Sequence, residues 1–199
     1  MTRRELHPLI IRAARGELPA WARVRTGRLT HLASVAELLS RWAAELGLDE
    51  GDRLRWVAAG WLHDSLRDEV PESLAAAAPE YPIQVQHGPA AAERLGAEGV
   101  DDRELLDAIR FHSLGNSGFG ALGRYLYLAD YLEPGRPFSP VENAAMRAAL
   151  PHEPDAVLRR ICALRIQEVL SRGRPLRPET VAFWNELQEN GAVDSRGDI

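Results

Sequence analysis

Residues 60–68 read GWLHDSLRD, and the adjacent His63 and Asp64 in this stretch decide how the chain is expected to fold. The pair follows an apolar run of a predicted helix. An imidazole and a carboxylate in such a run need partners, because burying an unpaired polar group costs roughly 1 to 3 kcal/mol. The stretch therefore predicts that other parts of the chain, or a bound ion, meet this pair.

Helical periodicity dominates the sequence and indicates an all-α fold. Apolar residues recur at helical spacing, and runs of alternating β-branched residues are nearly absent. With 199 residues, the chain is long enough for one sizeable core. We expect one domain over residues 1–199, with a core over 25–170, a short N-terminal helix over 1–17 and a C-terminal helix over 178–190.

Several helix boundaries are marked by capping residues and prolines. Thr2 with Glu5 resembles a capping box at the start of the N-terminal helix. Asp49 is expected to cap the helix that leads to His63. The segment 67–89 contains four prolines in the sequence RDEVPESLAAAAPEYPIQVQHGP, so we expect only one short helix in it.

The composition excludes several kinds of chemistry. Cys162 is the single cysteine, so neither a disulfide nor a cysteine-based zinc site can form within the chain, and the reducing cytoplasm is the expected location. All 24 basic residues are arginine, which removes lysine chemistry and suits bidentate phosphate contacts.

The charge and hydropathy patterns narrow the expected partners. A net charge of −5 argues against broad nucleic-acid binding, and no segment has the length and apolarity of a membrane span. Small anionic molecules remain possible substrates, because individual arginines can still bind phosphates. We assign the two terminal segments to packing or to self-association as a homodimer.

Four histidines and two aspartates, including the pair at 63 and 64, lie in apolar segments with helical spacing. Imidazole nitrogen and carboxylate oxygen are ligands for iron, manganese, zinc, nickel or cobalt. A single ion needs only about four protein ligands, so four histidines with two aspartates fit a pair of cations better, with Asp64 as the bridge. The predicted ligands are His31, His63, Asp64, His87, His112 and Asp130.

The same residues resemble a known family. The order of His31, the HD pair at 63 and 64, and Asp130 is similar to the HD superfamily of metal-dependent phosphohydrolases. His87 in QHG and His112 in AIRFHSLG, followed by YLYLADYLEPGR, resemble its YqeK-type branch of di-iron symmetrical dinucleoside tetraphosphatases. The resemblance covers roughly residues 25–170 and implies an HD-domain helical bundle.

The resemblance also implies an activity and a cofactor. Members cut diadenosine tetraphosphate in the middle to give two molecules of ADP, and all six metal residues carry over in type and order. We expect two divalent or trivalent ions, iron first, with manganese, cobalt or zinc as alternatives. Two such ions would generate hydroxide from a shared water at neutral pH. Asp64 and Arg67 are the expected catalytic residues.

Four side chains are candidates for binding the substrate's phosphates. Arg67 lies one turn past Asp64, where the family usually has lysine, and Ser113 stands where it usually has threonine. Arg67 keeps the positive charge of the family's lysine, and Ser113 keeps the hydroxyl group of the family's threonine. Arg136 in EPGR and Arg28, three residues before His31, complete the set.

Two other functions are open at this point. A different HD phosphohydrolase, acting on nucleoside monophosphates, guanosine polyphosphates or cyclic dinucleotides, would leave His87 and His112 idle if it used one ion. The guanosine polyphosphate enzymes typically read HDxxED, whereas Arg67 holds the first acid position here, and the HDxGK pattern of the cyclic-dinucleotide class is absent. A non-catalytic nucleotide-binding module is expected to have lost ligands, and this chain has lost none.

Overall fold

The computed structural model describes residues 5–150 and 154–194, and within these the fold consists of ten α-helices without a strand. The predicted all-α fold is confirmed. The helices are α1 (Pro8–Ala14), α2 (Thr26–Glu45), α3 (Glu50–Leu62), α4 (Pro71–Ala77), α5 (His87–Ala97), α6 (Arg103–Phe111), α7 (Ala121–Leu132), α8 (Pro140–Ala149), α9 (Pro154–Ser171) and α10 (Pro178–Asp194).

Helix α7 lies at the centre of the bundle. It contacts α2, α3, α6, α8 and α9, and its consecutive residues 125–130 are all buried. A helix that is buried on every side must be apolar all round, which explains the sequence YLYLA before Asp130. Asp130 is therefore a carboxylate carried into the middle of the core.

Two glycines allow the helices that carry histidines to approach closely. A Cβ atom on Gly60 of α3 would lie 2.6 Å from Cα of Ala36 on α2. A Cβ atom on Gly88 of α5 would lie 2.8 Å from the carbonyl oxygen of Arg110 on α6. Both distances are far inside van der Waals contact, so only glycine permits these crossings.

A buried ion-pair network ties α3 to the start of α6. Arg55 donates from Nε and Nη2 to the carboxylate of Asp102, at 2.5 and 2.9 Å, and also contacts Asp52 and Glu104. Asp102 in turn accepts from the backbone N–H of Leu105, which caps α6. The network fixes the helix that ends at His112.

The N-terminal helix differs from the prediction. It begins at Pro8, and the Nδ1 atom of His7 accepts from the backbone N–H of Leu9, so His7 provides the cap. Glu5 precedes the helix, and Thr2 lies outside the described residues. The helix starts further along than predicted because proline at the first helical position and a capping histidine set its start, and the capping box with Thr2 stays a prediction.

The other predicted boundaries agree more closely with the structure. Asp49 caps α3, since its Oδ1 atom accepts from the backbone N–H of Asp52 at 2.9 Å. The proline-rich segment holds one short helix, α4, and the C-terminal helix continues to Asp194 rather than to residue 190. Among the described residues, no helix combines the length and apolarity needed to cross a lipid bilayer.

Candidate metal centre

Five different helices bring the six predicted ligands to one buried place. Each side chain is buried, and together they meet where α2, α3, α5, α6 and α7 converge. His63 and His112 are the C-caps of α3 and α6, and His87 is the first residue of α5. Helix α3 ends at Leu62, so Asp64 lies in the following turn rather than on the helix.

Asp64 lies between two pairs of histidines. Its Oδ1 atom is 3.0 Å from Nε2 of His87 and 3.4 Å from Nε2 of His112. Its Oδ2 atom faces the other pair, 3.8 Å from Nε2 of His31 and 3.9 Å from Nε2 of His63. One carboxylate therefore presents a separate oxygen to each pair.

Asp130 contacts the pair formed by His31 and His63. Its Oδ1 atom lies 3.2 Å from Nε2 of His31 and 3.7 Å from Nε2 of His63. The ligand atoms of His31, His63 and Asp130 all fall within 4.8 Å of one another, as do those of His63, Asp64 and His112. The two groups have His63 in common, so their candidate ligands form one continuous cluster.

Helix ends fix the orientation of two of the imidazoles. Nδ1 of His63 donates to the carbonyl of Gly60 at 2.9 Å, and Nδ1 of His112 donates to the carbonyl of Ile109 at 2.8 Å. These carbonyls belong to the last turns of α3 and α6, where the helix leaves them free to accept. With the proton on Nδ1, the Nε2 lone pair of each ring faces the centre.

His31 has a carboxylate on its outer side. Its Nδ1 atom lies 3.3 Å from Oε1 of Glu133, which is itself buried. The backbone N–H of Gly135 donates to Glu133 at 2.7 Å, and a Cβ on Gly135 would lie 2.9 Å from the same carboxylate. Glu133 was not among the predicted residues, although the EPGR sequence contains it.

The ionisation of the centre favours metal ligation. Burial raises the pKa of the Asp64 carboxyl, but the neighbouring His63, His112 and His87 outweigh it and hold the pKa well below its usual range. For Asp130, hydrogen bonds from histidines and two nearby arginines likewise outweigh burial and lower the pKa. Burial lowers the pKa of His87 to about 4, so this ring is neutral at pH 7.

The four predicted phosphate-binding residues all adjoin this centre. Nη1 of Arg28 is 3.3 Å from Oδ2 of Asp64, and Arg136 donates to Asp130 through a short ion pair. Oγ of Ser113 lies 3.0 Å from Nε2 of His112.

Arg67 is exposed and joins the centre to the proline-rich segment. Its Nη1 atom donates to the carbonyl of Gln84 at 2.8 Å and to Nδ1 of His87 at 3.1 Å.

Arg165 on α9 also reaches the centre, and no sequence motif had singled it out. Its Nη2 atom donates to Oδ2 of Asp130 at 2.9 Å. The available signal was spacing, since Arg165 lies four residues after Ile161 and three after Cys162, both buried on the core-facing side of α9.

The distances within the cluster fit a shared coordination shell. Two nitrogen ligands about 2.1 Å from one ion are separated by roughly 3.0 to 3.4 Å. The Nε2 atoms of His31 and His63 are 3.2 Å apart, and those of His87 and His112 are 3.1 Å apart. The buried cluster could therefore hold metal.

The protein is a helical bundle with a buried cluster of histidine and aspartate side chains where several helices meet. The chain belongs to the HD domain family, whose sequence pattern matches residues 28–135. All six predicted ligands fall within the matched residues.

Three relatives carry the same name, "Bis(5'-nucleosyl)-tetraphosphatase, symmetrical". The protein from Halalkalibacterium halodurans is 32% identical over 108 residues, which cover 54% of this chain and 57% of the relative. That from Bacillus subtilis is 32% identical over 124 residues, 61% of this chain and 62% of the relative. That from Staphylococcus aureus is 28% identical over 126 residues, 58% of this chain and 63% of the relative. Each match spans less than two thirds of the relative's own length.

A solved structure supports the same family. The crystal structure of a "predicted HD superfamily hydrolase involved in NAD metabolism" from Clostridium acetobutylicum aligns with a TM-score of 0.70 and 25% sequence identity. The alignment covers 91% of this chain and 96% of that protein. The resemblance expected from the sequence motifs is confirmed.

Proposed function

We propose that this chain is a metal-dependent hydrolase that cleaves diadenosine tetraphosphate symmetrically into two molecules of ADP. The observation that carries the proposal is the position of Asp64, whose two oxygens face two separate pairs of histidines. The shared name of the three relatives supports the choice of substrate.

The six clustered residues would hold two cations with Asp64 between them. His31, His63 and Asp130 would hold one, and His87 and His112 the other. Iron is our first expectation, with manganese, cobalt or zinc as alternatives, because imidazole and carboxylate suit all of them. When bound, such ions supply a nucleophile at neutral pH and neutralise charge on the phosphates.

Symmetric cleavage places one water oxygen on one of the two central phosphorus atoms. The bond from that phosphorus to the central bridging oxygen breaks, and the bridging oxygen leaves with the second ADP. The overall reaction consumes one water and gives two ADP, with no other reactant required.

The chain's own side chains would bind and orient the tetraphosphate. Arg28 and Arg136, which here pair with Asp64 and Asp130, lie where they can exchange those carboxylates for phosphate oxygens. Arg67 and Ser113 flank the other histidine pair and would donate to the remaining phosphates. Arginine suits this task because its guanidinium contacts phosphate in a bidentate manner.

The test is a turnover assay combined with metal analysis. Protein purified without chelator is analysed for bound metals and then incubated with diadenosine tetraphosphate and iron, manganese or cobalt. ADP as the sole nucleotide product is the expected result. AMP together with ATP would mean asymmetric cleavage, and binding without any product would mean a nucleotide-binding module; either outcome overturns the proposal.

Asp64→Ala provides the matched variant for this assay. Because its carboxylate faces both histidine pairs, we expect the variant to lose both ions and essentially all turnover. Asp107→Ala removes an exposed aspartate from α6 and should keep the metal content and the rate of the wild type. Full metal content in Asp64→Ala would contradict the shared role of this carboxylate.

A further inference from the structure

Arg165 binds the outer oxygen of Asp130. Its Nη2 atom donates to Oδ2 of Asp130 at 2.9 Å and lies 3.3 Å from the carbonyl of Tyr127, almost one turn earlier on α7. Its other oxygen, Oδ1, faces His31 and His63 and also accepts from Nη2 of Arg136. Arg165 therefore holds one oxygen of this carboxylate, while the histidine pair and Arg136 meet the other.

Two aromatic rings hold the guanidinium in place. Cζ of Arg165 lies 4.4 Å from the ring centroid of Tyr127 and 5.4 Å from that of Tyr131. These tyrosines flank Asp130 on α7, and only 17% of the Arg165 side chain is exposed. Stacking on two rings restricts the guanidinium to a narrow range of positions, and cation–π attraction adds about 0.5 to 2 kcal/mol at such a site.

Fixing one oxygen of a carboxylate also fixes the other. The group is planar, so holding Oδ2 against a rigid guanidinium determines the direction in which Oδ1 points. Without this contact, the Asp130 carboxylate keeps its bond from Arg136 at Oδ1 but loses its anchor at Oδ2, so it can pivot and change the direction in which Oδ1 faces His31. Partners of this kind around metal ligands change metal affinity by roughly 10- to 100-fold when they are removed.

We propose that Arg165 is a positioning residue that orients Asp130 for the cation held by His31 and His63. The inference rests on the proposed metal centre. Arg165 belongs to α9, beyond the residues 28–135 that match the HD domain. The metal centre would therefore depend on a side chain supplied by the C-terminal part of the chain.

The test compares Arg165→Met and Arg165→Lys with Arg160→Met. Arg160 is on the same helix, is 57% exposed and pairs with Glu142 at the surface. Cobalt(II) affinity is measured by calorimetry in a His112→Ala background, which weakens the other ion, and again in a His31→Ala background, which weakens this one.

We expect Arg165→Met to weaken cobalt binding roughly 10- to 100-fold in the His112→Ala background. In the His31→Ala background, the same substitution should change the affinity by less than about threefold. Arg165→Lys keeps the charge and should recover part of the affinity, while Arg160→Met should match its parent in both backgrounds.

Thermal unfolding of the metal-free variants separates positioning from a purely structural role. If Arg165→Met lowers the melting temperature and leaves cobalt affinity unchanged in both backgrounds, the inference is wrong. If Arg165→Met fails to fold, Arg165→Lys decides by the same comparison. A wild-type protein that binds two ions but does not hydrolyse diadenosine tetraphosphate would overturn the proposed function and leave this inference standing.

Discussion

Arg67 donates a hydrogen bond to Nδ1 of His87, with 3.1 Å between the two nitrogen atoms. An arginine can only donate, so Nδ1 accepts and the proton of the neutral ring lies on Nε2. That Nε2 atom faces Oδ1 of Asp64 at 3.0 Å. His63 and His112 have the opposite arrangement, with Nδ1 donating to a carbonyl. Binding of a cation by Nε2 of His87 therefore requires Arg67 to leave Nδ1.

The first prediction is that Arg67→Met affects metal and substrate in opposite directions. Removing the guanidinium frees Nδ1 of His87, so the affinity for the ion on this side should rise several-fold. The loss of a charged phosphate contact, worth about 1.5 to 3 kcal/mol, should raise KM by tenfold or more. Cobalt titration and steady-state kinetics on diadenosine tetraphosphate measure the two effects.

Arg94→Met is the control, because Arg94 is an exposed arginine on the same helix as His87. Both quantities should stay at wild-type values in this variant. A lower metal affinity in Arg67→Met would show that Arg67 supports the ion instead of competing with it.

The second prediction concerns the crossing of α2 and α3. Gly60→Ala would place a Cβ 2.6 Å from Cα of Ala36, so the two helices must separate. Overpacking of this kind costs about 1 to 3 kcal/mol. The separation also moves His63 away from His31, so metal affinity should fall with stability. Urea unfolding and cobalt titration give the two values.

Gly96→Ala is the matched substitution for this test. Gly96 lies on α5, and a Cβ there would meet nothing within 4 Å. Because alanine favours helix over glycine, this variant should gain up to about 1 kcal/mol. Equal effects of the two substitutions would mean that the close crossing at Gly60 is unimportant.

The sequence could predict what depends on local pattern. Apolar periodicity identified the helices, and histidines or aspartates in apolar runs identified the six side chains that converge. Asp49 was recognised as a cap because capping is decided by neighbouring residues. The metal-binding roles of the six residues remain predictions.

Contacts between distant helices could not be predicted in this way. Arg165 meets Asp130 from 35 residues away, and only the packing of α9 on α7 brings them together. Glu133, the C-cap of α7, meets His31 on α2, and this contact also depends on how two distant helices pack. The start of α1 was missed for a local reason, since histidine is an uncommon cap.

The third prediction is that Asp102→Ala strongly destabilises the protein. The substitution leaves the buried guanidinium of Arg55 without its bidentate partner, and breaking a buried ion pair costs about 3 to 5 kcal/mol. The cap of α6 is lost as well. The free energy of unfolding in urea measures the combined effect.

Glu93→Ala breaks an exposed pair, in which Arg110 and Glu93 lie 2.6 Å apart. This control should lose less than about 1 kcal/mol, because solvent screens the pair. A loss in Asp102→Ala as small as that in Glu93→Ala would contradict the importance of the buried network.

The fourth prediction is that the metal-free protein loses stability as the pH falls from 6.5 towards 4. Burial lowers the pKa of His87 from 6.5 to about 4, so in this range the unfolded chain binds a proton that the folded protein excludes. The stabilisation is complete above pH 6.5 and is lost as the pH falls through this window. The carboxyls of Asp64 and Asp130 titrate below it, because their pKa values are lowered.

Urea unfolding in chelator should show a loss of about 1 to 3 kcal/mol between pH 7 and pH 4.5, and His87→Asn should reduce that loss. An unchanged pH dependence in His87→Asn would show that another group carries the titration.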